Sequence, residues 1–250
     1  MGKKLLTIFG ASGLVGSSIL REALDRGYLV NGTLRDVDNQ DRITRLKSLP
    51  SGKNAKFFSA NMADTSSLDN PLINADAVFI CCLIPTYKGF DGTPAKELDN
   101  ERGYNEIIKP TVDGCLNILR AAKRNNVKNI LICSSTSSTN PIPPVSIKNE
   151  LDHWSDEKEQ CNSKKYTSAA KTYMEKAAFK FCNENNLRLS VFLPTGLYGP
   201  AVLPEHLKHN PFLWIKSVLE GGPPRHQKVP NDSASLIPVS YTHLTLPTIE

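Results

Sequence analysis

The first stretch whose residue types and spacing suit chemistry is Gly10-Ala11-Ser12-Gly13-Leu14-Val15-Gly16, a G-x-x-G-x-x-G pattern. It follows a short apolar run and opens an amphipathic one, so it reads as strand, tight turn and helix start. In that setting Gly10 permits the turn, Gly13 lets the backbone approach a pyrophosphate, and Gly16 lets the helix pack close to the sheet. The unpaired N–H groups and partial positive charge of the helix start suit phosphate oxygens. A turn that needs glycine for its own sake is the competing reading, and the flanking strand and helix favour the dinucleotide. About twenty residues on, Arg35-Asp36 ends the second apolar run, where an acid would bond a ribose 2′-OH and an arginine a 2′-phosphate. The two pull in opposite directions. The planar donor fork of Arg35 tips the expectation to NADP, with NAD as the alternative.

The elements that must position these residues are legible as alternating short apolar and longer amphipathic runs. Strands are expected at 5–9, 29–34, 55–59, 77–83, 129–133 and 189–193. Helices are expected at 14–26, 40–48, 105–125 and 166–185, the third bent or begun by Lys109-Pro110. Alternation of this kind makes the strands parallel, and right-handed crossovers make the sheet doubly wound. The expected fold class is therefore α/β, a doubly wound parallel sheet (Rossmann) with a small C-terminal appendage, which a family resemblance implies is an incomplete C-terminal substrate lobe. Residues 1–200 form the dinucleotide-binding domain and 201–237 the partial lobe. Ligands of such sheets bind beyond the carboxyl ends of the strands.

Composition narrows the function classes. Thirty basic and 25 acidic residues give a net charge of +5. The excess is dispersed and no recognition motif accompanies it, so no nucleic-acid partner is expected. No apolar stretch approaches membrane-spanning length, so no membrane association is expected. The six cysteines, at 81, 82, 115, 133, 161 and 182, include no C-x-x-C pair. Several sit in apolar runs as buried thiols, which suits a cytoplasmic protein better than a disulfide framework.

The chain resembles the extended short-chain dehydrogenase/reductase superfamily, nearest to dihydroflavonol and cinnamoyl-CoA reductases, over roughly residues 4–236. Gly10–Gly16, the stretch 32–36, 105–114, Ile132-Cys133-Ser134-Ser135, Trp154-Ser155-Asp156, Lys171-Thr172-Tyr173-Met174-Glu175-Lys176-Ala177-Ala178, Leu193-Pro194-Thr195 and Gly199-Pro200 carry the likeness. The resemblance implies a Ser–Tyr–Lys active site. Ser135 is then the serine that bonds the substrate carbonyl and Tyr166 the proton donor. Lys171 is the lysine that holds the nicotinamide ribose and lowers the phenol's pKa. It also implies a cofactor site of Gly10, Ser12, Gly13, Leu14, Val15, Gly16, Arg35, Asn61, Met62, Cys82, Lys171, Pro194 and Thr195. The cofactor is expected to be NADP, and the partner a small-molecule carbonyl substrate reduced to an alcohol by a monomer or homodimer.

Three departures accompany the likeness. The superfamily spaces its pair Y-x-x-x-K, whereas Tyr166 precedes Lys171 by five residues and Thr167 holds the usual place. On a regular helix the extra residue turns the tyrosine by about 100°, which a π-bulge would absorb. Asn61 stands where an aspartate is usual near the adenine. From Pro238 to Glu250 the text ceases to resemble the family and reads like translated adapter sequence, so a non-native tail is expected there. Two other functions fit the same motifs. One is a non-catalytic dinucleotide sensor or scaffold, suggested by the lengthened spacing. The other is a nucleotide-sugar epimerase or dehydratase.

Overall fold

A computed structural model describes residues 2–149, 152–208, 210–222 and 236–239. Six parallel strands form one sheet: β1 (Leu5–Phe9), β2 (Leu29–Leu34), β3 (Ala55–Ser59), β4 (Ala77–Ile80), β5 (Asn129–Cys133) and β6 (Arg188–Phe192), in the order β3-β2-β1-β4-β5-β6. The order reverses between β1 and β4, which opens a crevice at their carboxyl ends. β4 ends at Ile80, three residues before the expected boundary at 83. Cys81 keeps one backbone bond to the Phe9 carbonyl, Cys82 and Leu83 leave the ladder, and all three line or brace the crevice.

Side-chain alternation divides the core in two. Leu6, Ile8, Phe79 and Leu131 point to the face covered by α1 (Leu14–Asp25) and α2 (Gln40–Lys47). Phe9, Val78, Ile80, Ile130 and Ile132 point to the other, covered by α4 (Lys109–Arg124) and α6 (Tyr166–Glu184). Strands apolar on both sides are what two helical layers require. Two shorter helices are α3 (Asn100–Gly103), before α4 in the chain, and α5 (Glu157–Asn162), before α6.

The bend expected at Lys109-Pro110 is a π-helical turn over Tyr104–Ile108, joining α3 to α4. Lys109 N–H bonds the carbonyl of Tyr104, five residues back. Pro110 has no N–H to donate and its ring crowds the carbonyl four residues before it, so the wider turn relieves both.

After β6, Gly196–Tyr198 (β7) pairs in parallel with Leu236–Pro238 (β8). The stretch 202–206, assigned to the lobe on sequence, sits on the nucleotide half: Leu203 is fully buried in the core under α1. A further helix, α7, spans Asn210–Leu219. Of the expected non-native tail only Pro238 and Val239 belong to the described residues, and the rest lies outside them. Among the described residues no helix is long and apolar enough to cross a membrane.

Candidate active site

The crevice has two connected lobes. The first, about 650 Å³, runs from Gly10, Ser12 and Gly13 past Arg35 to Asn61, Met62 and Cys82. The second, about 580 Å³, runs from Gly13, Leu14 and Val15 to Ser135, Thr167, Lys171, Pro194 and Thr195. Both are lined by Cys81, Ile84, Pro85 and Tyr87, so they form one continuous trough across the switch point.

The first lobe is built largely from backbone. Gly10 adopts φ +85°, and a Cβ there would meet the backbone of Cys82 at 3.0 Å. A Cβ on Gly16 would lie 2.1 Å from the Gly10 carbonyl oxygen, so only glycine lets α1 start this close to β1. Gly13 caps α1 without a side-chain hydrogen bond, leaving the first amides of the helix unpaired. Arg35 lines the lobe. Asp36 instead accepts the Asp38 N–H at 2.8 Å, which ties its carboxylate to its own loop. Asn61 Oδ1 accepts the Ala63 N–H at 3.0 Å. Met62 is seated against Gly114, where any Cβ would come within 2.5 Å of its sulfur. Burial pushes the Cys82 thiol up to about 12, so it acts as a small apolar wall.

These features fit a dinucleotide. At Gly10 and Gly16 the cradle has no room for a side chain, and the helix start beside them offers amides to an anion. At the far end, Thr195 Oγ1 is the one buried side-chain polar atom without a hydrogen-bond partner among the described residues. It lines the second lobe, where a polar group of a ligand would satisfy it.

The second lobe is built from side chains on separate elements. Ser135 follows β5, and its Oγ accepts the Ser137 N–H at 3.3 Å. Lys171, 9% exposed, donates to the Leu83 carbonyl at 2.6 Å and the Cys133 carbonyl at 3.4 Å. Burial lowers its pKa, partly offset by neighbouring thiols and Glu175. Two of its three ammonium hydrogens are thereby engaged, leaving one to face the trough.

Tyr166, expected at this site, is not there. Its ring is fully buried in a separate cluster with Leu98, Ile107 and Ile108, pressed against Gly103. Its hydroxyl donates to Asn100 Oδ1 at 2.9 Å, with the Leu98 carbonyl at 3.2 Å. Burial raises its pKa, the reverse of what a catalytic phenol needs. The reason is register. α6 is regularly α-helical from Tyr166 onward, with no π-bulge to absorb the fifth residue. Thr167 therefore takes the position four residues before Lys171 and lines the trough beside it.

Sequence reasoning also missed Glu175. It lies one turn beyond Lys171, is 2% exposed, and accepts a short hydrogen bond from Ser134. Burial holds its carboxyl above the ordinary range, against the hydrogen bonds from Ser134 and Ser138 and the charge of Lys171. The i, i+4, i+8 row of Thr167, Lys171 and Glu175 on one face was the available signal.

A doubly wound sheet with a glycine cradle at its switch point defines a dinucleotide-binding protein of the Rossmann type. The model of the NAD dependent epimerase/dehydratase family matches residues 6–230, and the chain belongs to that family. It is 32% identical over 208 residues to an anthocyanidin reductase ((2S)-flavan-3-ol-forming) of Vitis vinifera, covering 81% of this chain and 58% of the relative. It is also 32% identical over 203 residues to a bifunctional dihydroflavonol 4-reductase/flavanone 4-reductase of Malus domestica, covering 79% and 55%. The chain thus spans little more than half the length of these relatives. Among solved structures, vestitone reductase from alfalfa superposes with a TM-score of 0.69 at 20% identity, covering 97% of this chain and 71% of that one. Yeast methylglyoxal/isovaleraldehyde reductase complexed with NADPH superposes at 0.73 and 19% identity, covering 96% and 72%. Both likenesses bear on the fold.

Proposed function

We propose that the protein reduces a carbonyl group of a small organic molecule to an alcohol, using NADP as its cofactor. The observation that carries this reading is the continuity of the trough: the glycine cradle runs directly into a lobe lined by Ser135, Thr167 and Lys171. The named reductases among its relatives support the reaction class, and Arg35 lining the trough supports NADP over NAD.

The nicotinamide, when bound, supplies the hydride. The chain's own residues handle the carbonyl oxygen. Ser135 and Thr167 donate hydrogen bonds to it, and the Lys171 ammonium stabilises the negative charge that develops there. With Tyr166 turned away, the proton comes from Lys171 and passes through the Thr167 hydroxyl. The neutral amine is recharged from solvent. A lysine whose pKa is lowered by burial is better matched to this task than an exposed one. Apart from Lys171 and the hydroxyls, the lobe is walled by Leu14, Val15, Ile84, Pro85 and Leu197, which suits an uncharged substrate.

The test is NADPH oxidation against a panel of ketones and aldehydes. Thr167→Val should lower kcat about 10-fold or more, and Thr167→Tyr, which restores a phenol four residues before Lys171, should raise it. Turnover that ignores both changes would overturn the role of Thr167. NADPH binding with no turnover on any carbonyl would favour a dinucleotide-binding protein without catalysis, a second reading that the burial of Tyr166 supports.

A further inference from the structure

We propose that His206 is a positioning residue for the dinucleotide, locking the Ser12–Gly13 peptide so that the amides opening α1 stay aimed at the diphosphate. This rests on the cofactor reading above. His206 lies in the 3-10 turn Pro204–Lys208, nearly 200 residues from the glycine loop, and is 2% exposed. Its Nε2 is 2.9 Å from the Ser12 carbonyl oxygen. A carbonyl only accepts, so Nε2 carries the hydrogen. Nδ1 then accepts the Leu203 N–H at 3.4 Å, which holds the ring in that neutral tautomer.

The other end of the same peptide is fastened too: Gly13 N–H donates to the Gly10 carbonyl at 3.0 Å. A planar peptide held by both its oxygen and its hydrogen cannot flip unless both bonds break. Gly13, as the cap of α1, has no side chain to perform this task locally. The turn bearing His206 is itself well seated. Leu203 is buried under α1, and Glu205 pairs with Arg42 of α2 at 2.8 Å. A segment from beyond β7 thereby pre-organises the phosphate cradle, and pre-organisation raises affinity by removing the ordering cost of binding.

The experiment compares NADPH with adenosine 2′-monophosphate, which lacks the diphosphate, by equilibrium titration. Three variants are used with wild type: His206→Ala, His206→Asn and His206→Gln. Asparagine keeps an acceptor near Leu203 but falls short of Ser12, whereas glutamine places a donor where Nε2 lies. The Ala and Asn variants should bind NADPH about 3- to 10-fold more weakly with unchanged affinity for the monophosphate, and Gln should restore NADPH binding. Exchange of the Gly13 amide, followed by NMR without ligand, should quicken in the Ala and Asn variants alone. Equal NADPH affinity in all four proteins, equal loss for both ligands, or no rescue by Gln would overturn the proposal. Should wild type bind neither ligand, the cofactor reading fails by itself. The Gly13 amide then decides about His206, and unchanged protection in His206→Asn would refute it.

Discussion

The two lobes of the trough are built on different principles. The phosphate end is made of backbone: three glycines, a helix start and the close approach of α1 to β1, all within seven consecutive residues. The end proposed for the reaction is lined by side chains from the segment after β5, from α6 and from the segment after β6, which come together only in the folded chain. The expected glycines all line or close the first lobe. In the second, one extra residue before Lys171 rotates Tyr166 out of the cleft and into the packing between α3 and α6. A site written in one short peptide is robust. A site assembled across elements depends on helical register, where a single residue is about 100°.

The contrast is sharpest where it is easiest to break. Gly16→Val should abolish NADPH binding in a fluorescence titration, because even one added carbon would sit 2.1 Å from the Gly10 carbonyl. It should also lower the stability read from urea melts by about 1–3 kcal/mol. Lys171→Met should reduce kcat about 10²-fold or more while the protein still binds NADPH. In wild type kcat should decline as pH rises through the depressed pKa of Lys171, below the ordinary lysine value of 10.5. Arg35→Ala should narrow the preference for NADPH over NADH on the order of 10-fold, seen as a rise in KM for NADPH alone.

Tyr166→Phe is the most direct comparison of the two lobes. It should leave kcat within about twofold and cost about 1 kcal/mol in stability for the lost bond to Asn100. A catalytic phenol would instead cost about 10²-fold or more in rate.

The smallest expected effect concerns Glu175. Its folded-state pKa is raised, so between the unfolded and folded values the native state holds more protons. Stability therefore falls as pH rises through that window, above the ordinary carboxyl value of 4.5. Glu175→Gln keeps an acceptor for Ser134 and removes the titration, so urea midpoints measured across the same range should lose that slope.

Much of the fold was legible because local pattern and burial agree. β1, β2, β3 and β5 fall where the apolar runs put them, and α1 and α6 where the amphipathic runs do. Shorter elements were not foreseen. α5 and β7 carry weak patterns, and the turn at Pro204–Lys208 owes its place to Leu203 and His206 reaching back to the nucleotide half. Glu175 was part of a familiar stretch but had no role until Ser134, 41 residues earlier, was seen to donate to it.

The sequence by itself determined the parallel sheet, the glycine cradle and the presence of Arg35 at the end of β2, since each follows from residues close together in the chain. Tertiary structure decided which hydroxyl stands beside Lys171, how buried that lysine is, and what holds the Ser12 carbonyl. Those answers depend on helix phase and on contacts between distant segments. No local pattern encodes them, because a side chain's direction is fixed only when its element is packed.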